Sequence, residues 1–217
     1  MSTPPVVFLH GLGQTPLTWE AQVEALPPGR SALAPWLRGL RQGDEREFTL
    51  GGAAADVITQ LDMHPAARGH LAGLSLGTMV ALSCALDFPD RVASLILAAG
   101  QVTPPRALIR AQRAVLRLMP SHRFAAGGVS KARMLQVLAQ LDEAGLAGRL
   151  DQVTVPTLVL VGEQDRVNQP AARQLAEGIP GARLERVAGA GYQVNADAPE
   201  AFNALLYDFV READSRA

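Results

Sequence analysis

Five residues constrain this chain more than any others: Gly73-Leu74-Ser75-Leu76-Gly77. An apolar run leads into them and a helical pattern leads out. A serine with a glycine two residues to either side, in that setting, predicts a strained turn from strand to helix that lifts the serine hydroxyl above a sheet. Small residues are needed on both sides because such a turn brings backbones close together. A helix beginning at Leu76 directs free N–H groups and the positive end of its dipole toward an anion at the turn. Without its context the pattern is weak, and an ordinary glycine-rich turn is the plain alternative.

The context repeats along the chain. Short apolar runs at Val6–Leu9, Ser31–Leu37, His70–Leu74, Ser94–Ala98, Thr157–Val161 and Arg183–Val187 alternate with helical patterns. The helical segments are Leu17–Leu26, Leu50–Leu61, Leu76–Leu86, Ala171–Glu177 and Pro199–Arg211. Most of the runs are continuously apolar, as in parallel strands buried on both faces. The expected class is α/β, a mostly parallel sheet of about six strands flanked by helices. Phe88-Pro89 should end the helix after the serine, and Pro199 suits the first turn of the last helix. Residues 101–150 break the rhythm. They predict helices without strands, one over Pro105–Met119 and one over Lys131–Leu141 capped by Ser130, with Ala125-Ala126-Gly127-Gly128 as a flexible link. We expect one domain, 1–217, with this stretch as a small helical cap over the strand ends. The last residues, Glu212–Ala217, are expected to fray.

At 217 residues and 48% hydrophobic the chain can bury a substantial core, and Lys+Arg 20 against Asp+Glu 21 gives no reason to expect a nucleic-acid partner. Val6–Leu9 is too short for a signal peptide or a membrane span, and the single cysteine, Cys84, has no internal disulfide partner. A cytoplasmic protein without a membrane partner is the expectation. There is no H-x-x-x-H, no cysteine pair and no Gly-Lys-Ser/Thr loop, so neither metal nor other cofactor is expected.

His10-Gly11-Leu12-Gly13 follows the first strand directly. Acyl transfer builds negative charge on an oxygen and needs donors aimed at it. The N–H groups of Leu12 and Leu76 are the candidates, against the plainer reading of a simple β–α turn. A dinucleotide fingerprint is excluded twice. Pro16 stands where the third glycine belongs, and the second strand ends in Trp36 rather than an acid.

With these motifs the chain resembles the α/β-hydrolase fold superfamily over nearly its whole length, as a minimal, N-terminally short member. His10–Gly13, the serine pentapeptide, Asp165 after a late apolar strand, and Pro199-Glu200 before a final helix all match. The resemblance implies Ser75 as nucleophile and Asp165 as the acid that orients a base. A solvated loop charge beside Glu163 and Arg166 is the alternative for Asp165. The departure is Tyr192. It stands in Gly189-Ala190-Gly191-Tyr192, where the family carries histidine.

Histidine suits a general base because its pKa lies near neutrality, whereas tyrosine's is about 10, leaving about a thousandth ionised at pH 7. Tyr192 should be a poor base beside Asp165 and a natural hydrogen-bond donor. No other histidine fits well. His70 opens the strand, roughly 16 Å from Ser75. His64 feeds the same edge, His10 belongs to its turn, and His122 lies in the cap. The expected substrate pocket includes His10, Gly11, Trp19, Trp36, Met119 and Phe124; the two tryptophans could equally pack beneath loops. Arg106, Arg110, Arg113 and Arg117 form one basic stripe that reads as a solvated face. The expected activity is hydrolysis of an ester, thioester or lactone of a small to medium apolar molecule, impaired by Tyr192. The alternatives are a non-hydrolytic enzyme (lyase, isomerase or cyclase type) using Tyr192 as proton donor, and a silent ligand-binding protein.

Overall fold

The computed structural model describes residues 2–102, 114–119, 129–141 and 145–216. Six strands, β1 (Val6–Leu9), β2 (Ala32–Leu33), β3 (Gly69–Leu74), β4 (Val92–Ala98), β5 (Thr157–Gly162) and β6 (Arg183–Val187), form one sheet in the order β2-β1-β3-β4-β5-β6. Every pairing is parallel, with Leu9 opposite Gly73 and Leu74 opposite Ala98.

Alternate residues of each central strand feed opposite core layers. Val7, Leu9, Leu71, Leu95, Leu97, Val159 and Val161 pack with helices α2 (Leu50–Asp62), α3 (Leu76–Asp87) and α5 (Gln169–Gly178). Val6, Phe8, Ala72, Leu74, Ile96, Leu158 and Leu160 pack with Trp19 and helix α7 (Pro199–Ser215). Both faces are covered, which is why the strands read as unbroken apolar runs. Pro199 sits in the first turn of α7, and α3 stops at Phe88 before Pro89, as the sequence predicts. Helix α4 (Lys131–Leu141) is capped by Ser130, whose Oγ accepts from Arg133 N–H at 3.2 Å. Residues 114–118 are helical; the rest of the predicted Pro105–Met119 helix and the 125–128 link lie outside the described residues.

Three expectations are corrected, and one element is added. The second strand is two residues long, not seven. Pro35 cannot donate to a ladder, and the N–H of Leu37 is given to His10 Nε2 at 3.2 Å instead. The helix expected over Leu17–Leu26 is a 3₁₀ turn at Pro16–Trp19 followed by a short α1 at Glu20–Glu24. A further short helix, α6 (Val194–Asp197), precedes α7. The final helix does not fray at Glu212. It runs to Ser215, with Ala213 buried and the Asp214 carboxylate held by Arg30 and by His70 Nε2. Among the described residues no helix is long and apolar enough to cross a membrane.

Candidate active site

Ser75 connects β3 to α3 with φ 54° and ψ −109°. That conformation is strained for a residue with a side chain, by about 1–3 kcal/mol. Its effect is chemical. A serine at a helix N-cap normally turns its hydroxyl onto the backbone of the first turn. Ser75 occupies the N-cap and makes no such bond, so its Oγ is left to the site. The turn is closed by backbone contact. A Cβ at Gly73 would come 2.5 Å from Thr78 N, and one at Gly77 would come 2.6 Å from the Leu9 carbonyl carbon. Ser75 N–H is given to Ala98 O at 2.9 Å, while Thr78 Oγ1 donates toward Gly73 O (2.9 Å) and Ala98 O (3.0 Å).

The turn after β1 lies alongside. Gly11 N–H is given to Gln14 Oε1 at 2.9 Å, and a Cβ on Gly11 would be 3.4 Å from Leu74 O, one residue before the serine. Leu76 is the first residue of α3, so its N–H has no acceptor within the helix. Leu12 lies in the turn itself, half-buried. Helix α4 reaches this turn: its Met134 methyl would be 3.2 Å from a Cβ at Gly13.

Asp165 and Tyr192 arrive on two turns fastened together. Glu163 N–H bonds Val187 O at 3.0 Å, Gln164 N–H bonds Ala190 O at 2.9 Å, and Gly191 N–H bonds Asp197 Oδ2 at 2.9 Å. Asp165 is buried, and its carboxylate accepts from Asn168 N–H (3.2 Å) and Asn168 Nδ2 (2.6 Å). The Tyr192 phenol lies beside the Ser75 side chain and in the field of the Asp165 charge. Burial raises its pKa above the ordinary value; the Ser75 contact opposes this and the Asp165 charge adds to it. Tyr192 as a whole is 44% exposed. Ser75, Asp165 and Tyr192 are thus brought together at one end of the sheet.

The remaining histidines have other partners. His10 is fully buried, with Nδ1 donating to Gly11 O at 2.9 Å and Nε2 accepting from Leu37; burial lowers its pKa. It holds the turn rather than lining a pocket. His70 joins Ser94 Oγ (2.9 Å) to Asp214 (3.0 Å) at the opposite edge of the sheet. His64 Nε2 bonds Ser31 Oγ at 2.9 Å. His122 and Phe124 lie outside the described residues, as do Arg106, Arg110 and Arg113.

Trp19 is not at a pocket mouth. It is fully buried between Phe8 and Phe202, at centroid distances of 5.0 and 5.9 Å. Such contacts add about 0.5–1.5 kcal/mol beyond area burial. Trp36 stands edge-on to His10 at 5.5 Å and lines a cleft of about 200 Å³ with Arg38, Asp56 and Met63. Met119 is half-buried, and its carbonyl accepts from Lys131 Nζ at 2.9 Å. Among the described residues no cluster of three or more His, Cys, Asp or Glu could hold a metal ion. Thr78, Asn168 and Gln101 were missed by sequence reasoning. Asn168, three residues beyond Asp165, carries a local signal because asparagine favours such turns; Gln101 carries none.

The model of the family described as alpha/beta hydrolase matches residues 6–205. The chain belongs to the alpha/beta hydrolase family. Within that family it is 28% identical over 244 residues to RutD of Variovorax paradoxus (strain S110), covering 94% of this chain and 91% of the relative. That relative's name assigns it provisionally to carbamate hydrolysis. The enol-lactonase of Burkholderia xenovorans LB400 superposes with a TM-score of 0.85 at 23% identity, covering 97% of this chain and 92% of that one. NosK of Streptomyces actuosus superposes with a TM-score of 0.80 at 26% identity, covering 98% and 99%.

Proposed function

We propose that this alpha/beta hydrolase family member is a serine acyl-transfer enzyme. Its substrate is an ester, thioester or lactone of a small to medium apolar molecule, and its turnover is held down by Tyr192. The observation that carries the reading is the strained, uncapped Ser75 beside Tyr192 and the buried Asp165. In this reading Ser75 Oγ attacks the acyl carbon, the carbonyl oxygen takes up negative charge, and the N–H groups of Leu12 and Leu76 receive it. The serine proton needs an acceptor at that moment. A phenol with a raised pKa offers only a lone pair on a neutral oxygen, so proton removal is the slow step. The relatives named for carbamate and enol-lactone chemistry support a substrate with a carbonyl attached to a leaving oxygen or nitrogen.

The raised phenol pKa favours a second reading. A neutral Tyr192 can donate its proton to a substrate oxygen, which suits a non-hydrolytic reaction of the lyase, isomerase or cyclase type. The experiment is Tyr192→His, assayed on a short activated ester and with a serine-directed fluorophosphonate. The hydrolase reading expects an increase of about 10²–10⁴-fold, the scale of general-base catalysis, abolished by Ser75→Ala. No change in either readout, with the fold intact, would overturn it. Turnover by the unaltered chain without labelling at Ser75 would establish the donor reading, and ligand binding alone would leave a silent binding protein.

A further inference from the structure

One residue encloses the Asp165 carboxylate. Asn168 places its backbone N–H on one oxygen and its side-chain nitrogen on the other, at 3.2 and 2.6 Å. Asn168 is itself buried, 5% exposed, and its Oδ1 accepts from Gln101 Nε2 at 2.7 Å. That third bond fixes the amide: with its oxygen turned to Gln101, its nitrogen must face Asp165. Gln101 follows β4 by three residues, so the bonds run from the sheet to the acid. The Tyr192 phenol stands beside Ser75 in the field of the Asp165 charge, and among the described residues the hydrogen bonds to the Asp165 carboxylate come from Asn168 alone. A carboxylate out of water needs donors, and charge-assisted bonds are the strong ones.

We propose that Asn168, held by Gln101, is a positioning residue that carries the charge of Asp165 in place of an imidazole at position 192. The proposal rests on the reading of Asp165 as the acid of the site. It makes positions 168 and 192 energetically dependent on each other. With tyrosine at 192, the amide is the principal support of the carboxylate. With histidine there, the ring N–H shares that work, and the amide draws off part of the charge that would otherwise stabilise an imidazolium.

The test is a double-mutant cycle in urea unfolding with Asn168→Ala and Tyr192→His. Asn168→Ala should lower the midpoint in the unaltered chain by about twice as much as in the Tyr192→His chain. Equal losses overturn the proposal. Should Asn168→Ala not fold, Gln101→Glu serves. It sets an acceptor against Asn168 Oδ1, turns the amide, and should show the same dependence on residue 192. A second readout separates positioning from mere support. In the Tyr192→His enzyme, Asn168→Ala should move the acid limb of kcat/KM upward by about half a pH unit or more, because a less-shared carboxylate raises the imidazole pKa. A lower kcat with an unmoved limb would contradict the proposal. Should Tyr192→His show no hydrolysis at all, the hydrolase reading falls, and the unfolding cycle still decides this one.

Discussion

The carbonyl of Leu9, at the end of β1, lies against the Cα of Gly77 in the first turn of α3, leaving no room for a methyl group. The serine turn is therefore wedged between its own helix and the neighbouring strand. Its geometry is imposed by backbone atoms, which have little freedom to give way.

Gly77→Ala should accordingly lower stability by about 3 kcal/mol, at the upper end for overpacking, because the clash is with backbone rather than with a side-chain tip. Urea unfolding measures it. A loss below about 0.5 kcal/mol would mean that α3 can slide away from β1.

Ser75→Gly should do the reverse. Glycine accepts φ 54° freely, and no capping bond is lost with the hydroxyl. Relief of about 1–3 kcal/mol of strain, less about 0.5–1 kcal/mol of added chain entropy, leaves a net gain near 1 kcal/mol. Thermal unfolding should rise by about 2–4 °C while fluorophosphonate labelling disappears. A fall in Tm would show that the turn is not strained.

Acid should weaken the fold through His70. Burial depresses its pKa to about 4, with Asp214 partly opposing and Arg30 and Arg68 adding to the depression. Below about pH 6.5 the unfolded chain takes up a proton that the folded chain refuses, so stability is lost as pH falls from about 6.5 toward 4. Unfolding midpoints across that window should fall less steeply in His70→Gln. Parallel slopes would assign the acid sensitivity elsewhere.

Alkali should weaken it through Tyr207 and Tyr192. Burial lifts Tyr207 to about 12, opposed by the Arg30 charge, and raises Tyr192 as well. Their neutral forms belong to the folded state, so this contribution is complete below about pH 10 and is lost as pH rises toward 12. Tyr207→Phe should flatten that decline. An unchanged profile would show that Tyr207 ionises as freely in the fold as outside it.

What the sequence made legible was local. The serine turn, the buried parallel strands and the Asp165 loop each follow from a few adjacent residues. What escaped it depended on distant partners. Ala32–Leu33 stays short because the Leu37 N–H finds His10, 27 positions away. The final helix stays wound because Asp214 meets His70 across 144 positions. Trp19 and Trp36 looked alike as residues following strands, yet only Trp19 finds Phe202 to bury it.

The amides of Gln22, Asn195 and Asn203 have a consequence for assembly. Gln22 Nε2 donates to Asn195 O and Asn203 Oδ1, Asn195 Nδ2 donates to Thr18 O, and Tyr207 donates to Gln22 O. During synthesis the early half of this network is made first and waits, its amides hydrated, for partners more than 170 positions later. The segment that fixes the Tyr192 turn reaches Thr18 and Gln22 from α6, and α7 adds Asn203 to the same network. The turn that carries Tyr192 is thus tied, through Asp197 and Asn195, to a segment made more than 170 positions earlier, and a chain that stops before α6 has neither of those anchors.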